Sequence, residues 1–318
     1  SRSRPAASAT VGLLGREGDL LRQTILVTTY YCLAGGAVAY LFIYGAGLNL
    51  GTVMLALLIA GLGVLATDAL VRSGGEGIVP LILDVTEPAH VEAAARRIDE
   101  ECGTRGLQAL VNNAGVAVAG PLEFLPIDEV RRQLEINVVG QLAVTQAVLP
   151  LLRRSRESSR GDHRAGRILF MSSVSGRSSL PFIGAYAASK HALEAAADAL
   201  RIELKPFGLQ VVLVEPGVIA TPIWETARQA GKRNIERMPA LVRQYYGPQL
   251  DAMEARAQRG MSGLPPERVA DVVAHALTTK RPRARYVVGN DARARITLEG
   301  LMPTRIRDAL IGAVIRRL

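Results

Sequence analysis

The chain has 318 residues, a net charge of +9 and two cysteines, Cys32 and Cys102. That length buries a substantial core without disulfides, and two cysteines exclude both a disulfide framework and a cysteine metal site. His90, His163, His191 and His275 lack metal-ligand spacing, so no metal is assigned. The cysteine usage fits a reducing, cytoplasmic compartment. The excess charge is mostly arginine, with clusters at 151–167 and 280–285 and few aromatics between the cations. A single-strand nucleic-acid surface needs stacking platforms there, so the basic residues read as a solvated face with no nucleic-acid partner.

In chain order, residues 1–23 form a polar, basic tail of disordered composition. No charged residue lies between Arg22 and Asp68, and Arg2, Arg4, Arg16 and Arg22 precede this run. Two readings stand for it. Residues 24–40 have the length of a hydrophobic extension that anchors the chain in a membrane with its N-terminus in the cytoplasm, and the wider run 24–66 is the membrane-associating candidate. Alternatively, continuous apolar text is what a parallel strand covered on both faces looks like.

From residue 78 strands and helices alternate. "IVPLILDV" (78–85), "LQALVNNAG" (107–115), "GRILFMSS" (166–173), "LQVVLVEPG" (209–217) and "ARYVVG" (284–289) read as strands. Helices are expected over 87–102, 127–155, 185–208 and 266–279, the third ended by Pro206 and Gly208. This alternation predicts an α/β fold, a doubly wound parallel sheet in three αβα layers, spanning residues 41–290, with a C-terminal helical extension over 291–318.

Ligands of such sheets sit beyond the carboxyl ends of the strands. The chemistry-bearing residues fall there: Asn112 to Gly115, Ser172 and Ser173, and Pro216 and Gly217. In "YAASK", Tyr186 and Lys190 are i and i+4 on one helix face, so the ammonium is expected to lower the pKa of the phenol and fit it for proton transfer. Ser173 lies thirteen residues before Tyr186, and Asn137 lies in the preceding long helix.

The ordered set "LVNNAG" (110–115), "INVVG" (136–140), "ILFMSSVSG" (168–176), "YAASK" (186–190) and "VEPGVIATPI" (214–223) resembles the short-chain dehydrogenase/reductase family. The resemblance implies an NAD(P)-dependent enzyme that interconverts an alcohol and a ketone or aldehyde. It makes Tyr186 the proton donor and acceptor and Lys190 its partner and a ligand of the nicotinamide ribose. Ser173 would hold the substrate oxygen, and Asn137 would support a proton relay. It also implies cofactor contacts at Asp84, Val85, Asn112, Ala114, Gly115, Tyr186, Lys190, Pro216, Gly217, Ile219 and Thr221. The family's phosphate loop, laid on "YGAGLNLG" (44–51), keeps Gly45 and Gly51 but has Asn49 at the middle glycine. A second placement starts the first strand at "TILVT" (24–28); the first is preferred because it leaves a more compact strand-loop-helix unit. Asp68 would meet the adenosine ribose, which favours NAD, with NADP kept open by Arg72. If the altered loop fails, the chain is a catalytically impaired nucleotide-sensing or scaffold relative.

Residues 221–263 stand where the family places its substrate lid, and Trp224, Met238, Leu241, Tyr245 and Tyr246 are its candidate pocket wall. Steroid-, retinol- and lipid-handling members of the family often carry an N-terminal anchor, which points to a hydrophobic alcohol or ketone as substrate. Family members pair through their long helices, so a homodimer or homotetramer is expected.

Overall fold

The computed structural model describes residues 25–33, 36–43, 79–158, 166–221, 223–258 and 263–316. Its strands are β1 Ile25–Leu33, β2 Gly36–Ile43, β3 Val79–Leu83, β4 Ala109–Asn112, β5 Arg167–Met171, β6 Gln210–Pro216 and β7 Arg285–Val288. Its helices are α1 Pro88–Cys102, α2 Ile127–Leu134, α3 Gln141–Ser158, α4 Gly184–Glu203, α5 Ile223–Arg237, α6 Leu241–Gln258, α7 Pro266–Thr278, α8 Asn290–Leu301 and α9 Thr304–Arg316.

The seven strands form one sheet in the order β3-β2-β1-β4-β5-β6-β7. Successive side chains of a strand point to opposite faces, and the core divides accordingly. Leu110, Ile168, Phe170, Val211 and Leu213 join Ile98 of α1, Val144 and Val148 of α3 and Leu193 of α4. Their neighbours Val111, Leu169, Val212 and Val214 join Ala276 and Leu277 of α7 on the other face. With both faces covered, β4 to β6 read as apolar runs without alternation. Each fully buried Leu or Ile in these layers contributes about 2 kcal/mol relative to exposure.

The N-terminal reading changes here. The first parallel strand is β1, which pairs with β4 through Ile25↔Ala109, Leu26↔Leu110 and Val27↔Val111. Residues 24–40 were expected outside the domain; their described part instead supplies two sheet strands and does not form a membrane-crossing helix. An anchor and a central strand give the same uncharged text, so the sequence did not separate them. Strand β2, which leads to residue 44, is antiparallel to both β1 and β3, whereas β1 and β4 to β7 are mutually parallel. Its last residue, Ile43, therefore lies at the edge opposite Asn112 and Pro216. The sheet is parallel in all strands but this one.

The long helix expected over 127–155 is not regular. Between α2 and α3, residues Glu135–Gly140 form a π-helical turn. Such wide turns in α-helices occur frequently at functional sites. The whole stretch Ile127–Ser158 is long and apolar enough to cross a membrane by composition. Its inward face is nevertheless committed to this protein's core and to a polar loop, as the site geometry makes plain.

Candidate active site

Buried polar groups need hydrogen-bond partners, and one polar row on this helix finds them in a single loop. Gln133, Asn137, Gln141 and Thr145 recur every four residues and are all buried. Asn137 Oδ1 accepts from Val116 N at 2.8 Å, and its Nδ2 donates to Val116 O at 2.9 Å. Gln133 Oε1 accepts from Val118 N at 3.0 Å, and Gln141 Nε2 donates to Ala114 O. The Asn112 side chain donates to Thr145 Oγ1 at 2.8 Å. The row therefore holds the loop 112–118 open in a fixed shape at the end of β4. Gln133 and Gln141 were not singled out from sequence; their signal was the four-residue polar spacing around Asn137.

The next shell reaches α4. Asn137 Nδ2 also donates to Ser189 Oγ at 2.9 Å, and that hydroxyl donates to Tyr186 O at 2.7 Å. The Tyr186 hydroxyl is hydrogen-bonded to the Ser173 side chain, which itself accepts from Ser175 N at 3.1 Å. Lys190 Nζ lies 5.9 Å from the Tyr186 ring centroid and donates to Met171 O at 2.7 Å. A Cβ on Gly115 would stand 3.4 Å from Asn137 Oδ1 and 3.6 Å from Lys190 Nζ. Asn137, Ser173, Tyr186 and Lys190 thus share one buried cluster, and the absence of a side chain at Gly115 leaves its floor open.

The electrostatics differ from expectation in one respect. Burial raises the Tyr186 pKa above that of an ordinary phenol, and the Ser173 hydrogen bond offsets only part of that rise. The anticipated net lowering is not found: burial dominates, and the Lys190 ammonium donates to the Met171 carbonyl at 2.7 Å. Burial lowers the Lys190 pKa to about 8, against an opposing pull from the Glu194 carboxylate. The ammonium therefore changes charge just above neutral pH.

The remaining expected cofactor residues line the same carboxyl edge. Asp84 and Val85 follow β3; Asp84 Oδ1 accepts from Thr86 N at 2.9 Å and from Thr86 Oγ1 at 2.7 Å. Val85 is buried where Gly140 lets the π-turn approach it: a Cβ at Gly140 would lie 2.6 Å from Val85 Cγ2. Asn112, Ala114 and Gly115 follow β4. Pro216 ends β6; Gly217 N donates to Val288 O at 2.9 Å, Ile219 bridges to Leu264, and Thr221 N donates to Ile219 O at 2.9 Å. Asp291 on α8 fixes this last loop by accepting from Val218 N at 3.0 Å. Gly45, Gly51 and Asp68 lie outside the described residues.

Helices α5 and α6 stand over the site. Ala227 of α5 and Ala117 pack in one buried cluster with Tyr186, joined by Ile183 and Ile223. Met238 and Tyr246 belong to the adjoining apolar cluster with Val118, Leu125 and Phe182. Tyr246 donates to Glu123 at 2.8 Å; Leu241 and Tyr245 are more exposed, Tyr245 resting 6.3 Å from the Phe124 ring, and the Trp224 side chain lies outside the described residues. Phe182 takes a positive φ of 66°, unusual for a bulky residue, and its carbonyl accepts from Gly120 N at 2.7 Å. That bond ties the start of α4 to the loop 112–120.

A three-layer αβα sheet with a Tyr–Lys helix and a glycine-containing rim at the carboxyl edge defines a nucleotide-dependent oxidoreductase architecture. The sequence model of the short chain dehydrogenase family matches residues 58–232. The chain is 37% identical over 238 residues to the NADPH-dependent 3-dehydrocapnine reductase of Ornithobacterium rhinotracheale, covering 75% of this chain and 81% of that protein. It is 35% identical over 295 residues to retinol dehydrogenase 5 of Mus musculus, covering 88% and 89%. Among solved structures, a short-chain dehydrogenase from Streptomyces avermitilis superposes with a TM-score of 0.56 at 27% identity, over 79% of this chain and 84% of that one. The chain belongs to the short chain dehydrogenase family and is an NAD(P)-dependent oxidoreductase.

The described residues fit that cofactor at its nicotinamide end. Gly115 leaves a space that a Cβ would fill, with Lys190 Nζ facing it, and two backbone loops, 112–115 after β4 and 216–221 after β6, form the rim on either side of β5.

Proposed function

We propose that Asn137, Ser173, Tyr186 and Lys190 carry out the reaction, and that the substrate is an apolar secondary or primary alcohol or the matching carbonyl compound. One observation carries the reading: the Tyr186 hydroxyl is bonded to Ser173 within a buried cluster that also holds Lys190 one helical turn away. Lys190, with loops 112–115 and 216–221, would hold the cofactor, whose nicotinamide ring supplies or accepts the hydride when bound. Ser173 donates a hydrogen bond to the substrate oxygen. Tyr186 gives its proton to that oxygen in reduction and takes it back in oxidation. Asn137 keeps α4 and loop 112–118 in register through Ser189 and Val116. Burial of the phenol keeps it protonated through neutral pH, the state that reduction requires.

The apolar preference is supported by the surroundings of Tyr186: Ala117, Ile183, Ile223 and Ala227 pack in one cluster with it. Retinol, the substrate named for the mouse relative, is itself an apolar alcohol. We further propose NAD as the preferred cofactor, on Asp68, and a dimer or tetramer formed through the long helices in the cytoplasm.

The test is a binding titration of NADH and NADPH, followed by turnover of retinol and of ethanol with the tighter cofactor. Micromolar binding and a kcat/KM at least about 100-fold higher for retinol is the expected result, since burying several more CH2 groups is worth several kcal/mol. A folded protein that binds cofactor and prefers ethanol contradicts the substrate assignment.

A further inference from the structure

One turn after Lys190 on α4 begins a group of charges that the reaction above does not use. Glu194 is the next residue on the same face of α4, one turn after Lys190, and is buried. It fills the space beneath the serine loop: a Cβ on Gly176 would stand 2.8 Å from Glu194 Cγ and 3.1 Å from Lys190 O. Arg285, at the start of β7, bonds through Nη1 to Glu194 and, at 2.6 Å, to Glu215 Oε1. Its Nη2 bonds to Asp198 at 2.6 Å. Glu215 is fully buried and immediately precedes Pro216, and Arg177 approaches it at 3.8 Å. Three active-site segments thus meet at Glu194: the serine loop, the Tyr–Lys helix and, through Arg285, the strand leading into loop 216–221.

We propose that Glu194 is a positioning residue for Lys190: its carboxylate, clamped by Arg285, keeps the Lys190 ammonium charged and turned into the site. The inference rests on the assignment of Lys190 to the reaction. The charge inventory supports it. Facing Lys190 are Tyr186 and Glu194 from its own helix, and the neutral groups Asn137, Ser173 and the Met171 carbonyl from the elements packed on it. Facing Glu194 are Arg285 from β7, Glu215 from β6 and, beyond them, Asp198 and Arg177. Four cations, Lys190, Arg285, Arg177 and Arg201, the last bonded to Asp198 at 2.6 Å, meet three carboxylates, Glu194, Glu215 and Asp198. Removing the Glu194 charge leaves an uncompensated cation beside a buried ammonium, and a buried ammonium responds by losing its proton.

The experiment is the pH profile of kcat/KM for wild type, Glu194→Gln, Glu194→Asp and Arg285→Met, with circular dichroism as the check on folding. Glu194→Gln is expected to move the alkaline limb down by about one pH unit, a roughly fivefold loss at pH 8 that approaches tenfold above pH 9, with little loss at pH 6. Glu194→Asp, which keeps the charge, returns most of it. Arg285→Met, which removes a cation, moves the limb the other way. Opposite shifts are not produced by loosened packing, which would lower both profiles at every pH. If Glu194→Gln and wild type share one alkaline limb, the inference is wrong. If Glu194→Gln does not fold, an unshifted or downward-shifted limb in Arg285→Met overturns it. Tyr186→Phe separates the two layers of the argument: wild-type turnover there removes the underlying assignment, whereas an inactive Tyr186→Phe beside an unshifted Glu194→Gln removes this inference alone.

Discussion

Lys190 is held in a costly state, and its cost has a sign that can be measured. Burial depresses its pKa to about 8 from an ordinary lysine value near 10.5. The unfolded chain therefore binds more protons than the folded one between those two values, so folding stability contributed by this group rises with pH across that window. Below pH 8 the full penalty of burying the ammonium applies. Replacing Lys190 by Met removes the titration. The stability of wild type relative to Lys190→Met is thus expected to improve steadily from about pH 8 to pH 10, by up to about 3 kcal/mol. Urea unfolding at each pH checks it; parallel pH curves for the two proteins would contradict the burial account. The sequence showed that Tyr186 and Lys190 share a helix face, because i,i+4 geometry is local. It did not show the direction of the Tyr186 shift, which is set by burial of the phenol in the folded chain.

At the level of elements, the π-turn Glu135–Gly140 is the least regular piece of the scaffold and sits beneath the site. It lets Gln133, Asn137, Gln141 and Thr145 all face loop 112–118. Gly140 is required where this turn meets β3's end: an added methyl would stand 2.6 Å from Val85 Cγ2 and 2.8 Å from Val85 O. Gly-to-Ala ordinarily stabilises a helix by about 1 kcal/mol. Here the sign reverses, and Gly140→Ala should destabilise by roughly 1–3 kcal/mol through overpacking, read as a lower Tm. A raised Tm would show that the turn can retreat from Val85. Most helices and strands from residue 79 onward were legible because their apolar periods and turn residues are local signals; α5 and α6, within the stretch 221–263, were not. The antiparallel strand β2 was not, because strand direction leaves no mark on an uncharged run such as "GAVAYLFI" (36–43). The same ambiguity made residues 24–40 read as an anchor.

Over the whole molecule, the charge and apolar surface bear on assembly. Val139 on the π-turn and Ile202 near the end of α4 are 49% and 72% exposed, large apolar residues on the two elements through which pairing is proposed. A face of this kind is covered by a second copy in the proposed oligomer. Val139→Asp, which leaves Asn137 and Gly140 in place, is expected to shift sedimentation toward the monomer; an unchanged coefficient would move the interface elsewhere. The motif order from "LVNNAG" to "VEPG" was readable as one site because each motif ends a strand or opens a helix at the same edge of the sheet. The strands' carboxyl ends, rather than the individual residues, bring Asn112, Ser173 and Pro216 together.

Proton donation by Tyr186 is the central step of the proposed reaction. The direct measurement is kcat/KM for an apolar alcohol with the preferred nicotinamide cofactor, in wild type and Tyr186→Phe, with cofactor affinity measured alongside. A loss of about 100-fold or more with unchanged cofactor affinity and an intact fold is the predicted result. Turnover within a few-fold of wild type would place proton transfer on another group and contradict the mechanism.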